Sequence, residues 1–405
     1  MTESIKQRIE KIRRGEVPDG YKKTKVGIVP VEWKETHFKN MFSRLLRRNT
    51  EKNNNVLTIS AQHGLINQED FFNKPIASED KTNYFLLNKG EFAYNKSYSN
   101  GYPFGAIKCL EMYEKGIVSP LYICFFAREE NKCPDFYVHY FEAGKMNKEI
   151  QAIAQEGARN HGLLNISVDD FFNSYLIVPQ CVEQEKIAEI LSAKDRIIEL
   201  KSKLIEEKRR QKKHLMQQLL TGKKRLPGFN GLWKNTKLKL LAEIDTGNAD
   251  TQDKVDNGKY PFYVRSETIE RIDTYAYEGE AILIPGDGKI GDIYHYTNGK
   301  FNFHQRVYKI SDFKDCVGKY IYFYLSLFFK RRAMKLTAKA TVDSIRREML
   351  TEMNINMPPF EEQKAIAKIL STADKEIEIL QQDLEQEKRK KKALMQLLLT
   401  GIVRV

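Results

Sequence analysis

The chain has 405 residues, enough for two or three domains with cores of their own, and 30% of the residues are charged. No apolar run approaches the roughly 20 residues that cross a bilayer, and the polar N-terminus is unlike a signal peptide, so we expect a cytoplasmic protein without a membrane partner. The net charge of +13 favours an anionic partner, and nucleic acid is the first candidate.

Residues 1–30 predict a short N-terminal helix and a lead-in, since Ile5, Ile9 and Ile12 recur on one helical face. The first predicted domain follows at residues 31–178. Its runs YFLL, FAYN and GIVSPLYICFFA are short, rich in aromatic and β-branched residues, and broken by polar residues and glycine, which is typical of strands. FYVHYFEA looks helical. We therefore expect mixed α and β structure, with the polar residues in loops.

We expect residues 179–230 to form a long helix followed by a linker. Apolar residues step along the helix by three and four, and this spacing predicts a coiled-coil seam. The seam residues are Ile190, Ala193, Ile197, Leu200 and Leu204. The helix ends at LLTG, where a glycine can take the left-handed conformation that caps a helix.

The second predicted domain spans residues 231–356. AILIP, DIYHYT and QRVYKI predict strands, and KYIYFYLSLFFKRRAM predicts a helix. Its WKNTKLK resembles WKETHFK at the start of the first domain, and its EGEAIL resembles the earlier KGEFAY. We therefore expect the two domains to share a structural framework, although their sequences otherwise diverge.

Residues 357–405 repeat the first long helix. Segment 358–405 aligns without a gap with segment 179–226 and is identical at 23 of 48 positions, which indicates a duplication. The second seam consists of Leu370, Ala373, Ile377, Leu380 and Leu384. If the seams pack together, the helices must run antiparallel, and the N-terminal helix should lie near the C-terminal LLLTGIVRV. The predicted fold is α+β: two globular domains joined by two long antiparallel coiled-coil helices with pseudo-twofold symmetry.

The chain resembles the specificity subunit of type I restriction-modification systems. The resemblance covers the whole chain and rests on the repeated PxxEQxxIAxIL helix, the LLTG endings, the restart GFNGLWK and the opening GYKKTKVGIVPVEW. It implies a non-catalytic subunit whose two target recognition domains each read half of a split double-stranded DNA sequence, spaced by the helices. It also implies partner subunits: adenine methyltransferases that bind S-adenosylmethionine, usually in two copies, and a restriction subunit that uses ATP and Mg. No cofactor is expected in this chain.

Polar and basic residues in glycine-broken loops are the candidates for reading bases, because Arg and Lys pair with guanine edges and Asn and Gln with adenine. In the first domain they are Ser60, Gln62, His63, Lys96, Tyr98, Asn100, Arg159, Asn160 and His161. In the second domain they are Asn248, Arg265, Lys289, Gln305, Arg306, Lys339 and Arg346. Each could instead be an ordinary surface residue, so the prediction concerns the set.

Two motifs resemble enzyme signatures. GDGKIG, at residues 286–291, has the spacing of a dinucleotide fingerprint, but strand-like DIYHYT follows where that motif needs a helix. MPPF places Met357 where an amino-methyltransferase needs a side chain that hydrogen-bonds the target amine, so we interpret it as a helix entrance. Five scattered cysteines and seven histidines show no metal spacing. We expect no catalytic centre.

Two alternatives stay open. The basic runs KRRQKK (208–213) and KRKKK (388–392) either form a solvated helix face, which we favour, or contact phosphates between the half-sites. The alternative for the whole chain is a coiled-coil scaffold whose end domains bind proteins. Salt dependence separates the two functions, because phosphate contacts make the logarithm of DNA affinity fall linearly with the logarithm of salt concentration.

Overall fold

The computed structural model describes residues 3–60, 64–72, 80–98, 101–129, 131, 133–154, 164–337 and 344–405. The chain divides into two compact units. Unit 1 comprises Met1–Leu200 and Leu384–Val405, and unit 2 comprises Lys201–Asp383. Each long helix therefore contributes one part to each unit.

The elements of unit 1 follow in chain order. They are α1 (Glu3–Arg13), β1 (Tyr21–Lys23), β2 (Ile28–Pro30), β3 (Lys34–His37), α2 (Phe38–Met41), β4 (Phe42–Arg44), β5 (Leu57–Ser60), β6 (Gly64–Asn67), α3 (Gln68–Phe72), β7 (Phe85–Asn88), β8 (Phe92–Asn95), β9 (Ala106–Cys109), β10 (Lys115–Val118), β11 (Ile123–Ala127), α4 (Pro134–Glu142), α5 (Asn147–Ile153), α6 (Val168–Asn173), β12 (Tyr175–Val178) and the first part of α7 (Cys181–Leu220).

A four-stranded antiparallel sheet, ordered β4-β11-β8-β9, lies at the centre of unit 1. Alternate side chains of a strand point to opposite sides of the sheet. In the central strands of this sheet, the side chains on both sides are apolar. In β8, Phe92 and Tyr94 enter a large aromatic core that includes Phe38, whereas Ala93 enters a second cluster with Leu87. Burial on both sides explains why FAYN is continuously apolar up to its last residue. The described part of this unit also contains the strand pairs β1-β2, β3-β12, β5-β6 and β7-β10.

The elements of unit 2 likewise follow in chain order. They are β13 (Lys234–Lys237), β14 (Glu243–Thr246), β15 (Tyr260–Tyr263), β16 (Ile269–Ile272), β17 (Tyr277–Pro285), β18 (His295–Phe303), β19 (Val307–Ser311), α8 (Gly318–Thr337), α9 (Arg347–Thr351), β20 (Asn354–Met357) and α10 (Phe360–Leu398), with 3-10 turns at Leu238–Leu240 and Thr251–Asp253.

Unit 2 is built on a six-stranded sheet ordered β14-β19-β17-β18-β15-β16, in which only the β15–β18 pair is parallel among the described strands. In β17, Ile282 and Ile284 pack into the core that holds α8, and Ala281 and Leu283 face a second cluster on the other side. The loop GDGKIG joins the antiparallel strands β17 and β18, so no helix follows its glycines. Met357 ends β20, and α10 begins at Phe360, which confirms MPPF as a helix entrance.

Ion pairs join the two long helices within each unit. In unit 2, Lys201 pairs with Asp383 at 2.5 Å and Lys208 pairs with Glu376 at 2.5 Å. A later position on α7 therefore pairs with an earlier position on α10. In unit 1, Lys194 pairs with Glu387 at 3.0 Å. The segments are thus antiparallel in unit 2.

The predicted seam is only partly buried. On α7, Ile197, Leu200 and Leu204 keep 37%, 53% and 43% of their surface exposed, whereas Leu370 and Ile377 on α10 are buried. The mixed α and β class and the long helices are confirmed, while coiled-coil packing stays a prediction. None of the helices in the described ranges combines the length and hydrophobicity that a membrane crossing needs.

The first and last segments of the chain meet in unit 1. The guanidinium of Arg8, on α1, donates to the carbonyl oxygen of Ile402 at 2.5 Å, and the Tyr21 hydroxyl donates to the carbonyl oxygen of Gly401 at 2.6 Å. This contact confirms the expected position of the N-terminal helix near the C-terminal sequence.

Candidate nucleic-acid interface

Each unit contains a Trp–Glu–Arg cluster at the start of a long helix. In unit 1 the buried carboxylate of Glu183 accepts from the indole N–H of Trp33 at 2.8 Å and from Nε and Nη2 of Arg404 at 2.6 and 3.0 Å. These are charge-assisted bonds with the bidentate geometry that Arg favours. They raise the pKa of the Arg404 guanidinium further above its usual range.

The same cluster recurs in unit 2. Glu362 accepts from Trp233 Nε1 at 3.2 Å and from Nε and Nη2 of Arg225 at 2.7 and 2.8 Å. Gly222, two residues after α7 ends, has φ of 71°, and a Cβ there would lie 3.5 Å from the Trp233 ring. The positive φ favours glycine at the cap predicted at LLTG, whereas a Cβ there would only make ordinary van der Waals contact with the tryptophan ring. The sequence duplication thus corresponds to a duplicated set of contacts.

Four loops of unit 2 are tied together at the ends of its central strands. Gly286, after β17, donates its N–H to the Arg306 carbonyl between β18 and β19 at 2.8 Å. Ile345, before α9, donates to the Gly286 carbonyl at 2.7 Å, and Gln305 donates its backbone N–H to the Ala249 carbonyl after β14 at 2.8 Å. These backbone bonds bring residues distant in sequence to one surface.

The structure brings several predicted site residues of unit 2 to this surface. Gln305 donates from its side-chain amide to Asp250 at 2.6 Å. Arg306 and Arg265 both donate to Oδ2 of Asp287, at 2.9 and 3.3 Å. Exposed side chains also lie on these loops, at Asn248, Lys289 and Arg346.

Sequence reasoning missed Asp287 as a functional candidate. Burial opposes ionisation of this carboxyl, but hydrogen bonds and positive charge from Arg306 and Arg265 outweigh it and lower its pKa. Oδ1 is buried and has no hydrogen-bond partner among the described residues. The carboxylate lines a cavity of about 360 Å³ together with Arg306, Tyr308 and Ser344. The only sequence signal was an acidic residue between two glycines.

His304 was also missed, and it positions the Arg306 loop. The backbone N–H of Arg306 donates to Nδ1 of His304 at 2.9 Å, so Nδ1 must carry a lone pair. Burial is the main cause that lowers the pKa of this imidazole. The neutral ring therefore acts as a fixed acceptor, and an internal histidine is hard to recognise as such from sequence.

The candidate residues of unit 1 differ from one another in solvent exposure. Leu164 donates its N–H to the carbonyl of Lys96 after β8 at 3.0 Å, the counterpart of the Ile345–Gly286 bond. Tyr98 on the same loop is 62% exposed, whereas Ser60 ends β5 and is buried. Seven predicted residues lie outside the described part of the chain: Gln62, His63, Asn100, Arg159, Asn160, His161 and Lys339.

A second cavity, of about 250 Å³, lies in unit 1 between α4, β9 and the long helices. It is lined by charged groups, among them Lys108, Glu111, His139, Asp195 and Lys391. No group of three or more potential metal ligands occurs among the described residues.

Burial raises the pKa of the thiols of Cys109, Cys124 and Cys316 to about 12. These thiols are therefore protonated and unreactive at neutral pH.

Comparisons with known proteins agree with this architecture. Residues 230–388 match the family model described as a type I restriction modification DNA specificity domain. A putative type I restriction enzyme specificity subunit from Methanocaldococcus jannaschii is 26% identical over 429 aligned positions, covering 96% of this chain and 97% of that relative. A putative type I specificity subunit from Mycoplasma pneumoniae is 30% identical over 204 residues, 47% of this chain and 78% of that relative.

Solved structures show the same fold. The crystal structure of a type I restriction-modification S subunit from M. genitalium has a TM-score of 0.59 and 14% identity, covering 90% of this chain and 96% of that one. A second solved chain comes from a structure whose subject is complex assembly and conformational transition of the type I restriction-modification system. It has a TM-score of 0.56 and 17% identity, covering 93% of this chain and 99% of that one. The chain belongs to the family of type I restriction-modification specificity subunits.

Proposed function

We propose that this chain is the DNA-reading subunit of a type I restriction-modification complex, in which each recognition domain reads one half of a bipartite, asymmetric target. The observation that carries the proposal is the repeated Trp–Glu–Arg cluster, which holds two different domains on the same kind of helix. Identical anchoring with different loops suits two readers of unlike sequences. The proposed domains are residues 31–178 and 231–356, flanked by the lead-in 1–30 and the helical spacers 179–230 and 357–405.

The loops of unit 2 carry the chemistry of base reading. Arg265, Arg306 and Lys289 supply donors for the O6 and N7 acceptors of guanine, and Gln305 and Asn248 can pair with adenine. The net charge of +13 adds the sequence-independent attraction to phosphates. In unit 1, Lys96 and Tyr98 occupy the loop that corresponds to residues 286–289. We assign the same role there to the predicted residues outside the described ranges.

The long helices would set the distance between the half-sites and dock the partner subunits. Half-exposed apolar residues on α7, such as Ile197 and Leu200, offer the surface on which an adenine methyltransferase subunit could pack. We propose two such subunits, with S-adenosylmethionine bound in them, and restriction subunits that use ATP and Mg. This chain would contribute recognition and no catalytic group.

The experiment is to co-produce the chain with its partner methyltransferase and map methylated adenines across a bacterial genome. We expect one motif made of two unlike short blocks separated by a fixed gap. A palindromic motif would contradict two different readers, and methylation that does not depend on this chain would contradict the DNA-reading role. A scaffold that binds only proteins would show no salt-dependent DNA affinity, which a titration between 50 and 200 mM salt detects.

A further inference from the structure

The feature that the proposed function leaves unexplained is the half-satisfied carboxylate of Asp287. Its Oδ2 accepts from Arg306 at 2.9 Å and from Arg265 at 3.3 Å, so one oxygen is fully engaged. Its Oδ1 is buried without any hydrogen-bond partner in the described part of the chain. An ionised carboxylate only accepts hydrogen bonds, and leaving a buried acceptor unpaired is unfavourable. A donor from outside the chain would remove that cost.

Three neighbouring donors at the cavity are already engaged. The hydroxyl of Tyr308 donates to the carbonyl of Ile345 at 3.0 Å, and the amide of Gln305 donates to Asp250 at 2.6 Å. The backbone N–H of Ile345 is bound to Gly286. These groups cannot turn to Oδ1 without breaking the bonds that hold the loops together.

The arrangement of charges matches one base pair in particular. In the major groove a G·C pair presents two adjacent acceptors, N7 and O6 of guanine, followed by the N4 amino donor of cytosine. Asp287 has guanidinium donors at Oδ2 and an unpaired, buried acceptor at Oδ1, and it lines the cavity. A base edge that enters the cavity would therefore meet both the donors and the acceptor that a G·C pair requires. We propose that Asp287 accepts from the N4 amino group of a cytosine while Arg306 donates to the guanine paired with it. This inference rests on the proposed DNA-reading function.

Asp287 would therefore be a specificity-determining residue of the second domain as well as a partner that orients Arg306. A carboxylate that only orients Arg306 would, when removed, also relax the G·C position that Arg306 reads. A reading carboxylate in addition discriminates against a cytosine that lacks its amino group. A motif determination therefore locates the base pair, and the response to that base analogue separates the two roles.

The first test compares the methylation motifs of the wild type, Asp287→Asn and Asp292→Asn, each co-produced with the partner methyltransferase. Asp292 is a matched control, because it lies in the same inter-strand loop but pairs with Lys330. We expect Asp287→Asn to relax one G·C position in one block, leaving the other block and the gap unchanged, and Asp292→Asn to keep the full motif. An unchanged motif in Asp287→Asn overturns the inference, even though the proposed function stands. A wild type without a bipartite motif instead overturns the proposed function.

The second test measures affinity and does not depend on methylation. The methyltransferase complex is titrated with its target duplex and with a duplex in which the cytosine at that position is replaced by pyrimidin-2-one, which lacks the amino group. We expect the analogue to weaken wild-type binding about 5- to 150-fold relative to the Asp287→Ala complex, in which the two duplexes differ only by the cost of altered base pairing. Equal discrimination by both complexes overturns the inference. So does an Asp287→Ala complex that loses affinity for all duplexes alike without losing discrimination.

Discussion

The indole N–H of Trp33 donates to Oε2 of Glu183 at 2.8 Å, with both side chains buried. Trp33 lies at the entrance of the first domain and Glu183 in the first turn of α7, so this bond fixes the domain on its helix. Arg404 completes the cluster from the far end of the chain. Removal of Glu183 would leave a buried indole donor without an acceptor.

We therefore expect Glu183→Ala to lower the free energy of unfolding by about 1–3 kcal/mol, the cost of an unsatisfied buried donor. Chemical denaturation followed by tryptophan fluorescence measures the change. Glu189→Ala, on an exposed position of the same helix, is the control and should alter stability by less than about 0.5 kcal/mol. Equal stability of the two variants would show that the cluster does not anchor the domain.

The ion pairs of Glu387, with Lys390 on α10 itself and with Lys194 on α7, should be visible as a pH dependence of stability. Hydrogen bonds from Lys390 and Lys194 lower the pKa of Glu387 from 4.5 to about 2. Because the folded state favours the carboxylate, this contribution is complete above pH 4.5 and is lost as the pH falls towards 2. We expect Glu387→Gln to be less stable than the wild type near neutral pH and to approach it in acid.

The comparison is made by denaturation at several pH values between 2 and 7. Glu385→Gln serves as the control, because Glu385 pairs with Lys388 on an exposed part of α10. A constant difference between Glu387→Gln and the wild type across this range would contradict the assigned role of the ion pairs.

Arg306 should contribute to one base pair of the target and not to general affinity. Arg306→Ala is expected to cost about 1–3 kcal/mol against the cognate duplex and to relax one position of one block. Arg209→Ala, on the exposed face of α7, should leave the motif unchanged. The measurement is a competition between duplexes that differ at single positions. Uniform weakening across all duplexes would assign Arg306 to phosphate contact instead.

The spacing of the two blocks should follow the length of α7. Duplicating Leu219–Gly222 adds about one helical turn, which at 1.5 Å per residue is roughly 6 Å, or one to two base pairs of about 3.4 Å each. The duplication restores LLTG beside the linker, so a glycine that can take the left-handed conformation of Gly222 still ends the helix. We expect unchanged blocks and a longer gap in the methylation motif.

The control for this change is a four-residue insertion after Gly228, in the linker, where the helix keeps its length. That variant should keep the original gap. An active helix variant with an unchanged gap would show that something other than α7 sets the spacing.

The two long helices were predictable because their apolar residues are periodic and their sequence is duplicated. Helical spacing located α7 and α10, and the repeat identified Glu183 and Glu362 as equivalent positions. The bonds from Trp33 and Arg404 to that glutamate were not predictable, because they join residues far apart in sequence. The coiled-coil packing and the domain boundaries stay predictions.

The candidate surface was less predictable than the two long helices. Arg265 and Arg306 were predictable as donors in loops, and the sheet brings their loops together. Asp287 was not predictable, because an acidic residue between glycines looks like an ordinary turn until its arginine partners are seen. Ser60 was predicted as a loop residue but ends a strand and is buried, since strand ends are hard to separate from loops in sequence.

The most direct test of two separate readers is a domain exchange. Residues 31–178 are replaced by the corresponding domain of another specificity subunit with a known target, and the methylation motif is determined with the original methyltransferase. The account predicts that one block changes to the donor's half-site, while the other block and the gap stay as they were. A change in both blocks, or in neither, would contradict it.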